Sequence, residues 1–427
     1  MRTFYLNNLS SKELEVLTKR PSINLEKAFK IVKPILENVK SKGVKAALQY
    51  AKEFDGFEDD QIKVTKDEFE EAEQRLEPKL KSALEKVAKN VKKFHIKQFP
   101  KRYEIETMTG INCSREFRPI ENVGLYVPGG SAVLPSTMLM LGIPAHIAGC
   151  KRVVVCSPSK NGKINDPLLY AAKISGIREF YKIGGVQAIA LMAFGDPLIP
   201  KVDKIFGPGN QYVTAAKLLV SINPDGCSID MPAGPSEVLV IADENAIPAF
   251  VAADLLSQAE HGADSQVVLI STSEENANRI NGEVLHQLKT LSRKELAAKS
   301  LEKSFSLIVN NLNQAIDFSN NFAPEHLIIN VKNAGEYIPF IKNAGSVFLG
   351  QYSPESAGDY ASGTNHSLPT SGFAKTFGGV SVEMFMKSIT FQILTKNGLK
   401  NISDAVQALA EAEGLEAHKK AVIIRMK

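Results

Sequence analysis

A chain of 427 residues is longer than one hydrophobic core usually supports, so two or more domains are expected. With 44% hydrophobic and 23% charged residues it has the make-up of an ordinary soluble globular protein. The net charge is only +4, tryptophan is absent, and no Lys/Arg cluster is interleaved with aromatics, which argues against a nucleic-acid partner.

In chain order, the N-terminal stretch MRTFYLNNLSSKELEVL lacks the apolar core of a signal peptide and the Arg/Ser-rich bias of a transit peptide, so a cytoplasmic location is expected. The first hundred residues are charged and helical in pattern. Thr65-Lys66-Asp67-Glu68 reads as a capping box that opens a helix running to about Phe99-Pro100. Residues 122–150 carry no Asp, Glu, Lys or Arg, yet Pro128, Gly129, Gly130, Pro135, Gly142 and Pro144 interrupt them too often for a membrane span. No membrane partner is expected.

From about Asn122 the rhythm changes to short apolar strands, at 123–127, 152–156, 179–183, 204–206, 237–242, 266–271 and 306–309. Helical patterns fall between most of them, as at 167–175, 186–193 and 211–220. Alternation of this kind predicts parallel sheets with helices on both faces, and the strands are enough for two sheets. Asn223-Pro224-Asp225-Gly226 and Met231-Pro232-Ala233-Gly234-Pro235 mark the candidate junction. The tail from about Lys387 reads as two helical stretches broken at Gly414, the first capped by Ser403-Asp404. It is too short to bury a core and must dock on its own chain or a partner's.

Chemistry-bearing residues are scattered. Cys113, Cys150, Cys156 and Cys227 form no C-x-x-C pair and read as reduced thiols. Gln258-Ala259-Glu260-His261 closes an apolar helical run starting near Pro248. On a helix, Gln258 and His261 lie about 60° apart, so a carbonyl oxygen and an imidazole leave one face together. Two such donors do not hold zinc, which takes about four, so others must come from elsewhere. An exposed polar pair is the plain alternative.

Of seven histidines, His326, His366 and His418 sit in polar, Gly/Pro-punctuated contexts; the others are His95, His146, His261 and His286. The tract from Glu355 to Gly363 reads as a loop presenting Asp359, either to a ligand or simply as a turn-former. Glu325 and His326, just after Pro324, are either an acid/base pair at an irregular turn or a surface carboxylate beside a satisfied core histidine. Glycine-rich turns follow strands at Val127-Pro128-Gly129-Gly130, Ile183-Gly184-Gly185-Val186 and Gly207-Pro208-Gly209-Asn210. They suit a phosphate at a helix N-terminus, although none has the G-x-G-x-x-G spacing.

The stretch Ser228-Ile229-Asp230-Met231-Pro232-Ala233-Gly234-Pro235-Ser236-Glu237, continuing to Asp254-Leu255-Leu256-Ser257-Gln258-Ala259-Glu260-His261, closely resembles the signature of the histidinol dehydrogenases. Gly124-Leu125-Tyr126-Val127-Pro128-Gly129-Gly130, Gly184-Gly185-Val186-Gln187, Gly207-Pro208-Gly209-Asn210, Ala323-Pro324-Glu325-His326-Leu327 and the tract around Asp359 extend the likeness over most of the chain.

The resemblance implies an α/β fold of two Rossmann-like, incomplete parallel-sheet domains with an N-terminal helical segment and a small C-terminal helical docking domain. The expected division is 1–120 (helical, part packing on the catalytic domain), 121–235 (NAD-binding), 236–386 (catalytic and zinc-binding) and 387–427. It further implies a homodimer with shared sites, each subunit oxidising L-histidinol through L-histidinal to L-histidine with two NAD and one zinc ion.

By the same resemblance Gln258, His261, Asp359 and His418 hold the metal, and Tyr126, Gln187 and Asn210 contact NAD. Ser236, His326, His366 and Glu413 join the metal ligands around the substrate, while His326 and Glu325 are the catalytic residues. Glu413 and His418 are expected to serve the neighbouring subunit. An all-N/O ligand set also accepts Mn or Co. The competing readings are a related zinc/NAD-dependent dehydrogenase of another small alcohol, a zinc hydrolase (disfavoured by the lack of H-E-x-x-H) and a non-catalytic binding protein.

Overall fold

The computed structural model describes residues 1–20, 25–129 and 134–427, so Gly130 of the first glycine-rich turn lies outside the described residues. The chain is α/β, built on two parallel sheets of the same order. In the first, β4 (Asn122–Tyr126), β5 (Arg152–Cys156), β6 (Glu179–Tyr181), β7 (Lys204–Phe206) and β8 (Ser228–Ile229) lie in the order β6-β5-β4-β7-β8. In the second, β9 (Glu237–Ala242), β10 (Gln266–Ser271), β11 (Phe305–Ile308), β12 (His326–Asn330) and β13 (Ser346–Leu349) lie in the order β11-β10-β9-β12-β13. Strand β1 (Arg2–Tyr5) is added beside β11. Each half thus follows the 3-2-1-4-5 order of a Rossmann sheet without its sixth strand. The turn-rich tract between β8 and β9 is the passage from one sheet to the other.

Helices cover both faces of each sheet, as continuous apolar strands require. On the first sheet, α4 (Lys66–Arg75), α5 (Pro78–His95), α6 (Pro135–Ala148) and α7 (Asp166–Ile174) close one face. The other is closed by α2 (Leu25–Lys42), α3 (Val44–Asp55), α8 (Gly185–Phe194) and α9 (Gln211–Ser221). On the second, α10 (Pro248–Ala259), α11 (Glu274–Leu288) and α12 (Lys294–Glu302) oppose α1 (Ser11–Thr18) and α13 (Leu312–Phe322). Strand β9 shows why its sequence is uninterrupted: Val238, Val240 and Ala242 enter one core, Leu239 and Ile241 the other.

Five local expectations are corrected. The capping box forms, with Thr65 Oγ1 accepting from the Glu68 N–H and Glu68 reaching back. Its helix, however, stops at Arg75, because Pro78 cannot continue it and instead opens α5. Residues 103–119, within the segment expected to be helical, form β2 (Tyr103–Met108) and β3 (Ile111–Pro119) of an antiparallel sheet.

The tail begins as its third strand, β14 (Met386–Leu394), where Ile389, Phe391 and Ile393 alternate at the strand period. Helix α15 (Lys396–Ala412) is capped by Thr395, not by Ser403-Asp404. Ser403 is buried mid-helix, and Gly414, at φ +70°, makes the expected break before α16 (Glu416–Met426). The tract starting at Glu355 is a helix, α14 (Glu355–Tyr360), rather than a loop. Gly358 is there for packing, since a Cβ would stand 2.5 Å from the Phe348 ring.

Candidate active site

The second sheet carries its polar cluster at the amino ends of β9 and β12, the two strands at its switch point. Ala323, left-handed at φ +52°, turns the chain out of α13, and Pro324 and Glu325 lead straight into His326, the first residue of β12. Glu325 and His326 are both buried, at 6% and 3% exposure, which excludes the surface-carboxylate alternative.

The backbone of Glu237, first residue of β9, serves both. Its N–H donates to Glu325 Oε2 at 2.8 Å, and its carbonyl lies 3.1 Å from His326 Nδ1. A carbonyl only accepts, so in the neutral ring Nδ1 carries the hydrogen and Nε2 presents a lone pair. His326 Nε2 is buried without a hydrogen-bond partner, 3.4 Å from Asp359 Oδ1.

Around this nitrogen the charges oppose their burial. Desolvation pushes Glu325 up to about 8. It acts against charge on His326 too, but the Glu325, Glu355 and Asp359 carboxylates outweigh it and hold that ring up to about 10. Asp359 stays below the usual carboxylate range, since the His326, His366 and His261 rings overcome its burial. Burial lowers His366.

Gln258 is fully buried in the last turn of α10. With its amide turned to suit its neighbours, it accepts from the Glu237 N–H at 3.0 Å and donates to Glu355 Oε1. His261 lies two residues beyond the helix end, exposed, rather than on a shared helix face. Its N–H returns to the Gln258 carbonyl. His261, Glu355 and Asp359 offer ligand atoms all within 4.8 Å of one another. Imidazole, carboxylate and amide oxygens suit a divalent metal such as zinc. Several buried acids facing one point are costly without a cation, so the donor set fits a metal.

Glu355 was not singled out from sequence. Its signal is the i,i+4 spacing to Asp359, which stacks the two carboxylates on one helix face. His366 also enters the site: Nδ1 lies 2.8 Å from the Asp359 carbonyl and Nε2 2.9 Å from Thr137 Oγ1 of α6, joining the two halves. Ser236 is half-buried directly before Glu237. Glu413 and His418 are not brought to the cluster. Both are exposed where α15 meets α16, and neither side chain has a hydrogen bond or ion pair among the described residues.

The expected cofactor residues gather at the carboxyl edge of the first sheet. Tyr126 ends β4, and its hydroxyl accepts from the Gly185 N–H. Gly207, directly after β7, comes so close that a Cβ would lie 2.0 Å from the Tyr126 carbonyl. Asn210 caps α9 through the Tyr212 and Val213 N–H groups. Gln187 donates to Asp55 at 3.3 Å, while its buried Oε1 has no partner, an unmet acceptor at the edge where a dinucleotide would sit. All four cysteines are free, and burial pushes Cys150 and Cys227 up to about 12 and Cys156 up as well, so none of these three is an activated thiol.

The family model described as histidinol dehydrogenase matches residues 18–426. A histidinol dehydrogenase of Vibrio vulnificus (strain YJ016) is 51% identical over 430 residues, 100% of this chain and 98% of that protein. The chloroplastic one of Arabidopsis thaliana is 51% identical, over 100% and 92%. The crystal structure of histidinol dehydrogenase from Elizabethkingia anophelis superposes with a TM-score of 0.95 at 50% identity, covering 100% of this chain and 98% of that one. With that extent of likeness in sequence and fold, the chain belongs to the histidinol dehydrogenase family.

Proposed function

We propose that the protein oxidises L-histidinol to L-histidine through L-histidinal, with two NAD, as the last steps of histidine biosynthesis, and that Glu325 and His326 carry the proton transfers. The supporting observation is His326, buried, with Nδ1 fixed on the Glu237 carbonyl and Nε2 facing the acidic cluster, where the neutral ring presents its lone pair. It takes the hydroxyl proton as hydride leaves the alcohol carbon. Glu325, held above the usual carboxylate range by burial, takes a proton from the water that adds to the aldehyde. As that water adds, His326 returns its proton to the carbonyl oxygen, giving the gem-diol, which loses its second hydride while the freed His326 again removes a hydroxyl proton. Each turnover thus yields two NADH and a carboxylate, with no thiol.

Gln258, His261 and Asp359 would hold zinc, together with His418 of a second copy, and Glu355 would keep the Gln258 amide turned. The metal would orient the imidazole and amino nitrogens of the substrate. Tyr126, Gln187 and Asn210 would line the NAD site, where the nicotinamide accepts each hydride. Ser236, His366 and Glu413 would complete the substrate site.

Two features support a homodimer. Glu413 and His418 stand exposed away from the cluster, and the sheet β14-β3-β2 is uncovered on both faces. Tyr103 and Ile105 are exposed on one face and Ile389, Phe391 and Ile393 on the other. Three strands with apolar groups on both faces need a covering partner. The test is an L-histidinol/NAD assay with metal analysis. Two NADH per histidine and one zinc per chain are expected; strong preference for another small alcohol would overturn the substrate assignment.

A further inference from the structure

We propose that Arg20, at the end of the N-terminal arm, is a positioning residue for the Glu325–His326 pair, a reading that rests on the proton-transfer roles given above. Its guanidinium forks onto Glu237, Nε to Oε1 at 3.1 Å and Nη2 to Oε2 at 2.9 Å. Nη2 also donates to the Ala323 carbonyl at 3.3 Å, Nη1 donates to the Thr18 carbonyl at 3.0 Å, and the group lies 3.4 Å over the Phe322 ring. Arg20 is largely covered and Glu237 is buried, with side-chain exposures of 11% and 2%.

The targets are what distinguish this from an ordinary anchor. Glu237 holds Glu325 with its N–H and His326 with its carbonyl. Phe322 and Ala323 form the turn from which Pro324, Glu325 and His326 emerge. One rigid, always-charged group therefore ties the start of β9 to the start of β12, from 217 residues away along the chain. Glu237 Oε1 also accepts from the Ser371 N–H at 2.6 Å, which fixes the carboxylate from its far side. If the tie is cut, the two strand starts are free to shift, and sub-ångström displacement of a base from its substrate lowers turnover steeply.

The experiment uses the full-length, metal-loaded enzyme with Arg20→Ala, Arg20→Lys and Glu237→Gln, and His326→Ala as control. Arg20→Ala is expected to lower kcat by about 10- to 100-fold, with zinc content and the KM for NAD unchanged. Millimolar guanidinium should restore part of that kcat, whereas Arg20→Lys should stay low because an ammonium cannot fork. Wild-type kcat in Arg20→Ala, with only a lower unfolding midpoint, overturns the proposal and leaves a structural anchor. If Arg20→Ala does not fold, Glu237→Gln and Arg20→Lys decide by the same split between kcat and KM. Wild-type turnover in His326→Ala would instead overturn the proton-transfer roles themselves.

Discussion

Lys217→Met tests how the first half holds its cofactor-side turn. Lys217 Nζ is buried against Asp230 and donates to the Gly207 carbonyl at 2.8 Å and the Met231 carbonyl at 3.4 Å. Asp230 in turn accepts from the Gly207 and Met231 N–H groups, both at 2.7 Å. The substitution keeps the volume but strands a carboxylate at 2% side-chain exposure. Breaking a buried pair from one side costs about 3–5 kcal/mol. Two backbone donors still share the Asp230 charge, so about 3 kcal/mol is expected.

The readout is the shift in urea midpoint at unchanged slope. Adding Asp230→Asn should recover part of the loss, because a neutral amide leaves no uncompensated charge. The turn Gly207-Pro208-Gly209-Asn210 would remain loosened, so the KM for NAD should stay raised in both variants. A single variant within 1 kcal/mol of the parent would refute the energetic reasoning. A destabilised one with unaltered KM for NAD would refute the link to the cofactor.

Glu355→Gln should weaken zinc binding about 10- to 100-fold in chelator competition, because the charged, acceptor-only carboxylate that fixes the Gln258 amide gives way to a neutral amide that can turn either way; an unchanged affinity counts against it. Burial pushes Asp254 up to about 7 from an ordinary 3.8, so the folded chain holds a proton that the unfolded chain has lost across that interval. Stability from this group therefore falls as pH rises through the window. The advantage of Asp254→Asn over the parent should be larger at pH 8 than at pH 5 by roughly 2–3 kcal/mol, and a pH-independent difference in urea unfolding would rule this out. His326→Ala should lower turnover by orders of magnitude while zinc stays bound, and loss of the metal would show that the ring does more than move protons.

Legibility from sequence followed burial. Strands such as β9 and β10 are apolar through their middles because both faces are covered, and their runs stand out in any window. Strands β2 and β14 are exposed along most of their length, so their alternation carried little contrast against the charged segments around them. His326 was found through its Pro-Glu context. Glu355 was overlooked because a carboxylate among Ser, Ala and Gly looks like a turn until Phe348 is known to need the glycine. Arg20 carried no local mark at all, since its partners lie hundreds of positions downstream.

Two sheets of like order, each with its own pair of cores, have a kinetic consequence. Oxidising an alcohol to an acid uses a dinucleotide twice, so reduced carrier must depart and a fresh one arrive while a reactive aldehyde waits. On the proposed assignment the carrier rests on the carboxyl edge of one half and the aldehyde on the amino edge of the other. Exchange at the first surface would then leave the second undisturbed, so the intermediate need not be released between the two oxidations.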